Sequence, residues 1–235
     1  MADFTSLVLR LDALRQHLAG TLRDKGVATT DEETLASLVD KVALVDSTSG
    51  MNQIRNGYQL FRGNTTMSVF PELDTASFDS MFQMCYGCTA LERMPTLDTS
   101  NVANMMYAFY GCTNLLEIGG LDTSRITSAS ELFHGCKSLR KIGGRLDFSK
   151  VTSKIDTTFV SCSALETVII DGPVDVDIAV NGCPKLTVES LVFLLNALSD
   201  TGNGKTCNCN IGTKNLAKLN AIQKAIATDK GWTLT

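Results

Sequence analysis

The residues of this chain best equipped for chemistry are its eight cysteines and two histidines. Cys85-Met-Tyr-Gly-Cys88 has the C-x-x-C spacing of a pair that can hold zinc or cycle between dithiol and disulfide, and Cys207-Asn-Cys209 is a second close pair. Together they could supply the four thiolates of a structural zinc site. That site requires segments more than a hundred residues apart to meet. His17 and His134 stand alone in sequence, with no second ligand at metal-binding spacing. No Ser-His-Asp order, phosphate loop, H-E-x-x-H or G-x-S-x-G occurs, so no catalytic residue, metal or cofactor is expected.

The cysteines take on another meaning once their spacing is measured. Cys88, Cys112, Cys136, Cys162 and Cys183 follow one another at steps of 24, 24, 26 and 21 residues by subtraction. Three residues after each stands a leucine: Leu91, Leu115, Leu139, Leu165 and Leu186. Three further on, the first four units carry Met94, Ile118, Ile142 or Val168. Leu97-Asp98-Thr99-Ser100 recurs as Leu121-Asp122-Thr123-Ser124 and, with one change, as Leu146-Asp147-Phe148-Ser149. An earlier unit holds Asn64 in the cysteine column and Leu73-Asp74-Thr75 in the turn. A period near 24 is leucine-rich-repeat length. Each cysteine is then expected to be a small buried brick in a core column, and Cys85 falls in the column that Phe109 and Phe133 fill later.

The elements that position these residues follow from the same periodicity. Leu-x-x-Ile predicts a short strand, and Asp-Thr-Ser a turn whose polar side chains accept from backbone N–H groups. Val102, Met105 and Phe109 predict the inward stripe of a short helix that Gly111 ends. Gly119-Gly120 and Gly143-Gly144 read as tight turns after strands. The aspartates Asp74, Asp98, Asp122 and Asp147 form a column that either caps turns or takes a calcium ion between repeats. Cores of this kind become continuous only when repeats stack.

Composition narrows the function. A net charge of −4 offers no electrostatic reason to bind nucleic acid. No apolar run reaches the ~18 residues of a membrane span. The opening residues lack the basic and apolar regions of a secretory signal, which leaves the thiols expected as free.

The ends differ in kind. Residues 1–46 carry a leucine stripe at Leu7, Leu11, Leu14, Leu18 and Leu22, then Thr30-Asp-Glu-Glu33 as a capping box before a second stripe. A helical hairpin is expected, with oligomerisation through residues 4–22 as the alternative. Residues 47–57 read as a linker, 58–186 as the repeat array, and 187–235 as a capping α/β unit. In the last, a helix over Leu191–Leu198, a strand over Cys207–Ile211, a helix over Leu216–Ala227 and a strand over Trp232–Leu234 are predicted.

The pattern Phe-x-Gly-Cys-x-x-Leu-x-x-Ile, with Leu-Asp-Thr-Ser-x-Val-x-x-Met between copies, resembles the BspA-like bacterial leucine-rich repeats, in the short variant carried by proteins of gut bacteria and their prophages. Asn64 for cysteine, Ser161 for glycine and the irregular stretch 171–179 depart from it. The resemblance implies an α/β solenoid with short parallel strands on one face and short helices on the other. It also implies a non-catalytic role in protein or glycan recognition at a cell or virion surface. Recognition would then use the outward strand positions Arg93, Leu116, Glu117, Arg140, Lys141 and Glu166. A prophage tail-associated component is one alternative. A cation-dependent adhesin or an enzyme, using the cluster around Lys205, Cys207, Asn208 and Cys209, is another.

Overall fold

Leu-x-x-Ile does make strands, and they are short. Arg93–Met94 (β1), Glu117–Gly120 (β2) and Lys141–Gly143 (β3) pair in parallel, in the order β1-β2-β3. Each outward residue is exposed and the next faces the core, as a half-buried strand requires. Single bridges extend the row from Val69 to Arg93 at one side and from Lys141 to Thr167 at the other. Leu146–Asp147 (β4) pairs with Ile170–Asp171 (β5), and Ile178–Ala179 (β6), Asn208–Asn210 (β7) and Thr233–Leu234 (β8) form a third parallel sheet. The computed structural model describes residues 15–22, 56–71, 73–201 and 206–235. The chain divides into two compact units, Met1–Ile54 and Arg55–Thr235. In the first unit residues 15–22 are helical, while the capping box at Thr30 and the second leucine stripe lie outside the described residues.

The run after each Asp-Thr-Ser is not the expected short helix. In residues 81–88 the N–H groups alternate between two kinds of acceptor. Met81, Gln83, Cys85 and Gly87 donate to the carbonyls of Asn104, Met106, Ala108 and Tyr110 in the next repeat, while Met84, Tyr86 and Cys88 donate three residues back. The next repeat does the same, with Tyr107, Phe109 and Gly111 donating to Ser130, Leu132 and His134. Spacing explains the choice. Parallel strands lie about 4.8 Å apart, whereas an α-helix is about 10 Å across with its side chains. A helix in every repeat would splay one side of the stack away from the strands. Flat turns hold both sides at one spacing and still satisfy the backbone.

Turns of this kind need positive φ. Gly63, Gly87, Gly111 and Gly135 supply one column, with φ between 70° and 76°. Ser161, the departure from glycine, keeps the same conformation at φ 62°. Gln59, Gln83, Tyr107 and Glu131 form a second column, with φ of 54–59° at non-glycine residues. Such conformations cost about 1 kcal/mol each, and the inter-repeat bonds on either side of them offset that cost. Of the paired glycines, Gly144 makes the expected turn after β3, at φ 73°, whereas Gly119, Gly120 and Gly143 belong to the strands themselves. Gly119 lies inside β2, where a Cβ would come within 2.2 Å of the Thr96 nitrogen of the neighbouring repeat. Its role is close backbone approach.

Between strands and turns lies one apolar core. Phe109, Phe133 and Phe159 stack at 5.8 and 5.7 Å, and Cys85 continues their column between Phe61 and Phe109. The carboxyl end adds Val188–Ala197 (α1), Thr213–Leu216 (α2) and Ala221–Thr228 (α3). Thr187 caps α1, which buries Leu191, Leu194 and Leu195. The single helix expected over 216–227 is broken, because Asn220 and Gln223 form a reciprocal capping box that starts α3 afresh. Lys230 closes α1 from outside by donating to the carbonyls of Leu195, Asn196 and Leu198. Among the described residues, no helix is long and apolar enough to cross a membrane.

Leu115, fully buried two residues before the exposed Glu117, tests this inward and outward assignment. Leu115→Ala should cost about 2–5 kcal/mol in urea unfolding, and Glu117→Ala less than about 0.5 kcal/mol. Equal losses would mean the two columns are exchanged.

Candidate functional site

The strand row places its charges side by side. Arg93 pairs with Glu117 and Glu117 with Lys141 in register, and Lys141 bridges to Thr167. Arg93 reaches Glu117 at 3.4 Å, both side chains remaining more than half exposed. In that setting an ion pair contributes about 0–1 kcal/mol, so the pair sets side-chain orientation more than stability. The adjacent row runs through Glu92, Leu116, Arg140 and Glu166, joined by N–H donation from Leu116 to Glu92, Arg140 to Leu116 and Glu166 to Arg140. Glu92, Arg93, Glu117, Arg140, Lys141 and Glu166 are all exposed. Leu116 is not the exposed anchor it was expected to be. It is half-buried in the row between Glu92 and Arg140. The exposed apolar residue of this surface is Val69, at 54%.

The cysteine column is buried throughout, with Leu91, Leu115, Leu139, Leu165 and Leu186 beside it. Its role goes beyond filling space. The thiols of Cys88, Cys112, Cys136 and Cys162 each donate to a backbone carbonyl of the preceding repeat, those of Phe61, Cys85, Phe109 and Phe133, at 3.0 Å. Cys183 donates to Phe159 at a longer 3.5 Å. Each of those carbonyls also accepts the N–H three residues on in its own turn. The thiol therefore serves as an inter-repeat tie as well as a brick. Burial raises the Cys85 and Cys136 thiols well above their ordinary range and pushes Cys209 up to about 12. The Cys183 thiol is raised by its neighbour Cys162 and by burial. A thiol held protonated is a weak nucleophile and a weak metal ligand.

The aspartate column caps its own turns. Asp74, Asp98, Asp122 and Asp147 each accept the N–H two residues on, and Asp98 also accepts the Ser100 hydroxyl at 2.7 Å. Hydrogen bonds from Ser100 and Ser124 hold the Asp98 and Asp122 carboxyls below the usual range. The neighbouring threonines do what the sequence reading missed. Thr75, Thr99 and Thr123 are buried, and their hydroxyls donate to the carbonyls of Asp98, Asp122 and Asp147 in the next repeat. The signal was available: threonine recurs with aspartate at each of these turns.

The remaining candidates are scattered. Cys207 and Cys209 are buried in the carboxyl-terminal sheet, Asn208 between them is exposed, and Lys205 lies outside the described residues. His17 contacts Thr21 one helical turn on, at 3.5 Å. His134 stacks on Tyr110 and has its Nδ1 3.5 Å from the Glu131 carboxylate. Among the described residues, no group of three or more His, Cys, Asp or Glu side chains is placed to hold a metal ion.

With this geometry in view, the chain belongs to the family described as "Mycoplasma protein of unknown function, DUF285", whose model matches residues 53–171, just over half of the sequence. No curated protein and no solved structure matches it.

All eight cysteines are free and buried. Native protein should therefore leave them unreacted with an aromatic disulfide reagent, and denatured protein should release eight equivalents of thiol. Disulfides between successive repeats, which stacked strands bring within reach, would contradict the thiol-to-carbonyl ties.

Proposed function

We propose that this chain is a non-catalytic recognition module, a leucine-rich-repeat solenoid of the BspA-like kind. Its strand row meets a protein or glycan surface. The observation that carries the reading is the in-register row Val69, Arg93, Glu117, Lys141 and Thr167, with Glu92, Arg140 and Glu166 beside it. Every repeat spends its inward residues on the core, so the outward ones are free to vary without cost to folding. The charges alternate in sign, which suits a mixed polar surface better than a polyanion. Val69 supplies the apolar contact that the expected anchor Leu116 does not.

Further support comes from the repeat pattern. The Gly-Cys-x-x-Leu-x-x-Ile signature and the Asp-Thr-Ser turns that carry the BspA resemblance are the residues that tie neighbouring repeats. The setting that resemblance points to is attachment at a cell or virion surface.

The test is to present the purified chain to oligosaccharide arrays and to intact bacterial and epithelial cells. Parent protein should bind one of these surfaces, and an Arg93→Glu/Lys141→Glu variant should unfold like the parent and lose at least tenfold in affinity, about 1.4 kcal/mol. Undiminished binding by the variant would remove the strand row from the site.

A further inference from the structure

All four tyrosines of the chain, Tyr58, Tyr86, Tyr107 and Tyr110, lie on the turn segments, away from the strand row. Tyr86 stacks on Tyr110 at 4.7 Å with the rings 5° from parallel, and Tyr110 stacks on His134 at 4.7 Å. Tyr58 stacks on Phe82 at 5.3 Å, and Tyr107 joins the two stacks by meeting Phe82 edge-on. None of these aromatics belongs to the buried core, and Tyr58 is 53% exposed. Among the described residues, none of the four hydroxyls has a hydrogen-bond partner.

The chemistry of this patch is specific. Ring faces are consumed within the ladder, since Arg62 covers Tyr86 at 5.3 Å and His134 covers Tyr110. What points outward is ring edges, which are electropositive, and hydroxyls, which both donate and accept. A sugar that stacks on an aromatic needs an open face, and both faces of Tyr86 and of Tyr110 are taken by their neighbours in the ladder. The charges are arranged with equal economy. Arg62 stands at one end of the ladder and Glu131, beside His134, at the other, three repeats away. The patch is thus neutral in sum and opposite at its two ends.

We infer that this surface is the contact for a second copy of the chain, related by a two-fold axis between Tyr86 and Tyr110. That operation lays the two ladders antiparallel. It sets Arg62 against His134 of the second copy, with the adjoining Glu131 carboxylate beside it, and the reverse, and it lets hydroxyls from each ladder pair across the axis. A surface that is its own complement is what a two-fold interface requires, and tyrosine gives contact area at low side-chain entropy cost. Four repeats span about 15 Å, and a patch of that edge covers roughly 200 Å², well below the about 800 Å² per partner of a standard interface, so the dimer is weak and concentration-dependent. It leaves both strand rows free and would double their valency. The inference does not rest on the proposed strand-row function, because its readout is mass and not binding.

Sedimentation velocity of the full chain from low to high micromolar concentration decides it. The expected result is a rise from one 25.3 kDa chain towards two. Arg62→Glu should abolish the rise, and Arg62→Glu/Glu131→Arg should restore it. Arg62 is exposed, so this change spares the core. A Tyr86→Phe/Tyr110→Phe variant, which keeps the rings and removes the hydroxyls, should weaken the dimer. A monomer at every concentration would overturn the inference. So would an oligomer indifferent to Arg62→Glu, which would place the contact elsewhere, residues 4–22 included. A loss that Glu131→Arg fails to restore would overturn the two-fold arrangement.

Discussion

Adjacent repeats of this protein are held at one backbone spacing on the strand side and on the turn side alike, and the rest of the structure answers to that constraint. On one side the spacing is set by the pairing of β1, β2 and β3. On the other it is set by alternate amides reaching the next repeat's carbonyls. Two side-chain ties run between these ladders: the cysteine thiols to the preceding repeat and the threonine hydroxyls to the following one. Individually such bonds are worth about 1 kcal/mol. Their weight comes from position: the threonine hydroxyls satisfy carbonyls beside a dry core, where leaving one unmet costs about 1–3 kcal/mol, while the thiols add a second bond to carbonyls that already accept a turn amide.

The constraint explains what could be read from sequence and what could not. Columns were legible, because Cys112, Leu115 and Ile118 must return to the same slot in every repeat and the period exposes them. The strands followed from Leu-x-x-Ile, and the capping aspartates from Asp-Thr-Ser. The helices over residues 102–111 were misread because Val102, Met105 and Phe109 have a spacing that helical and multiple-turn backbones share. Local pattern cannot distinguish them. The choice is made by the neighbouring repeat, whose carbonyls accept from Phe109 and Gly111 only if the backbone stays flat. Leu116 was misplaced for a related reason. Its place between the inward Leu115 and Ile118 assigns it outward with Glu117, whereas strand alternation from Ile118 turns it back towards the core.

The candidate site divides along the same line. Register placed Arg93, Glu117 and Lys141 side by side, as the 24-residue period implies. The tyrosine ladder escaped notice because it uses three different columns, those of Tyr58 and Phe82, of Gln83 and Tyr107, and of Tyr86 and Tyr110, and involves only some repeats. Residues that vary between repeats are those the core does not dictate. The charged row and the aromatic ladder are two surfaces on which this chain departs from its own repeat, and it is to these that we assign the proposed contacts.

The central claim is that the turn-side ladder secures the repeats as firmly as the strands do. Native-state hydrogen exchange, resolved by amide, addresses it most directly. The amides of Gln83, Cys85, Gly87, Phe109 and Gly111 should exchange with the same opening free energy as those of Leu116, Arg140 and Ile142. Turn amides exchanging orders of magnitude faster than strand amides would show that the strand side alone holds the repeats together, and would contradict the account.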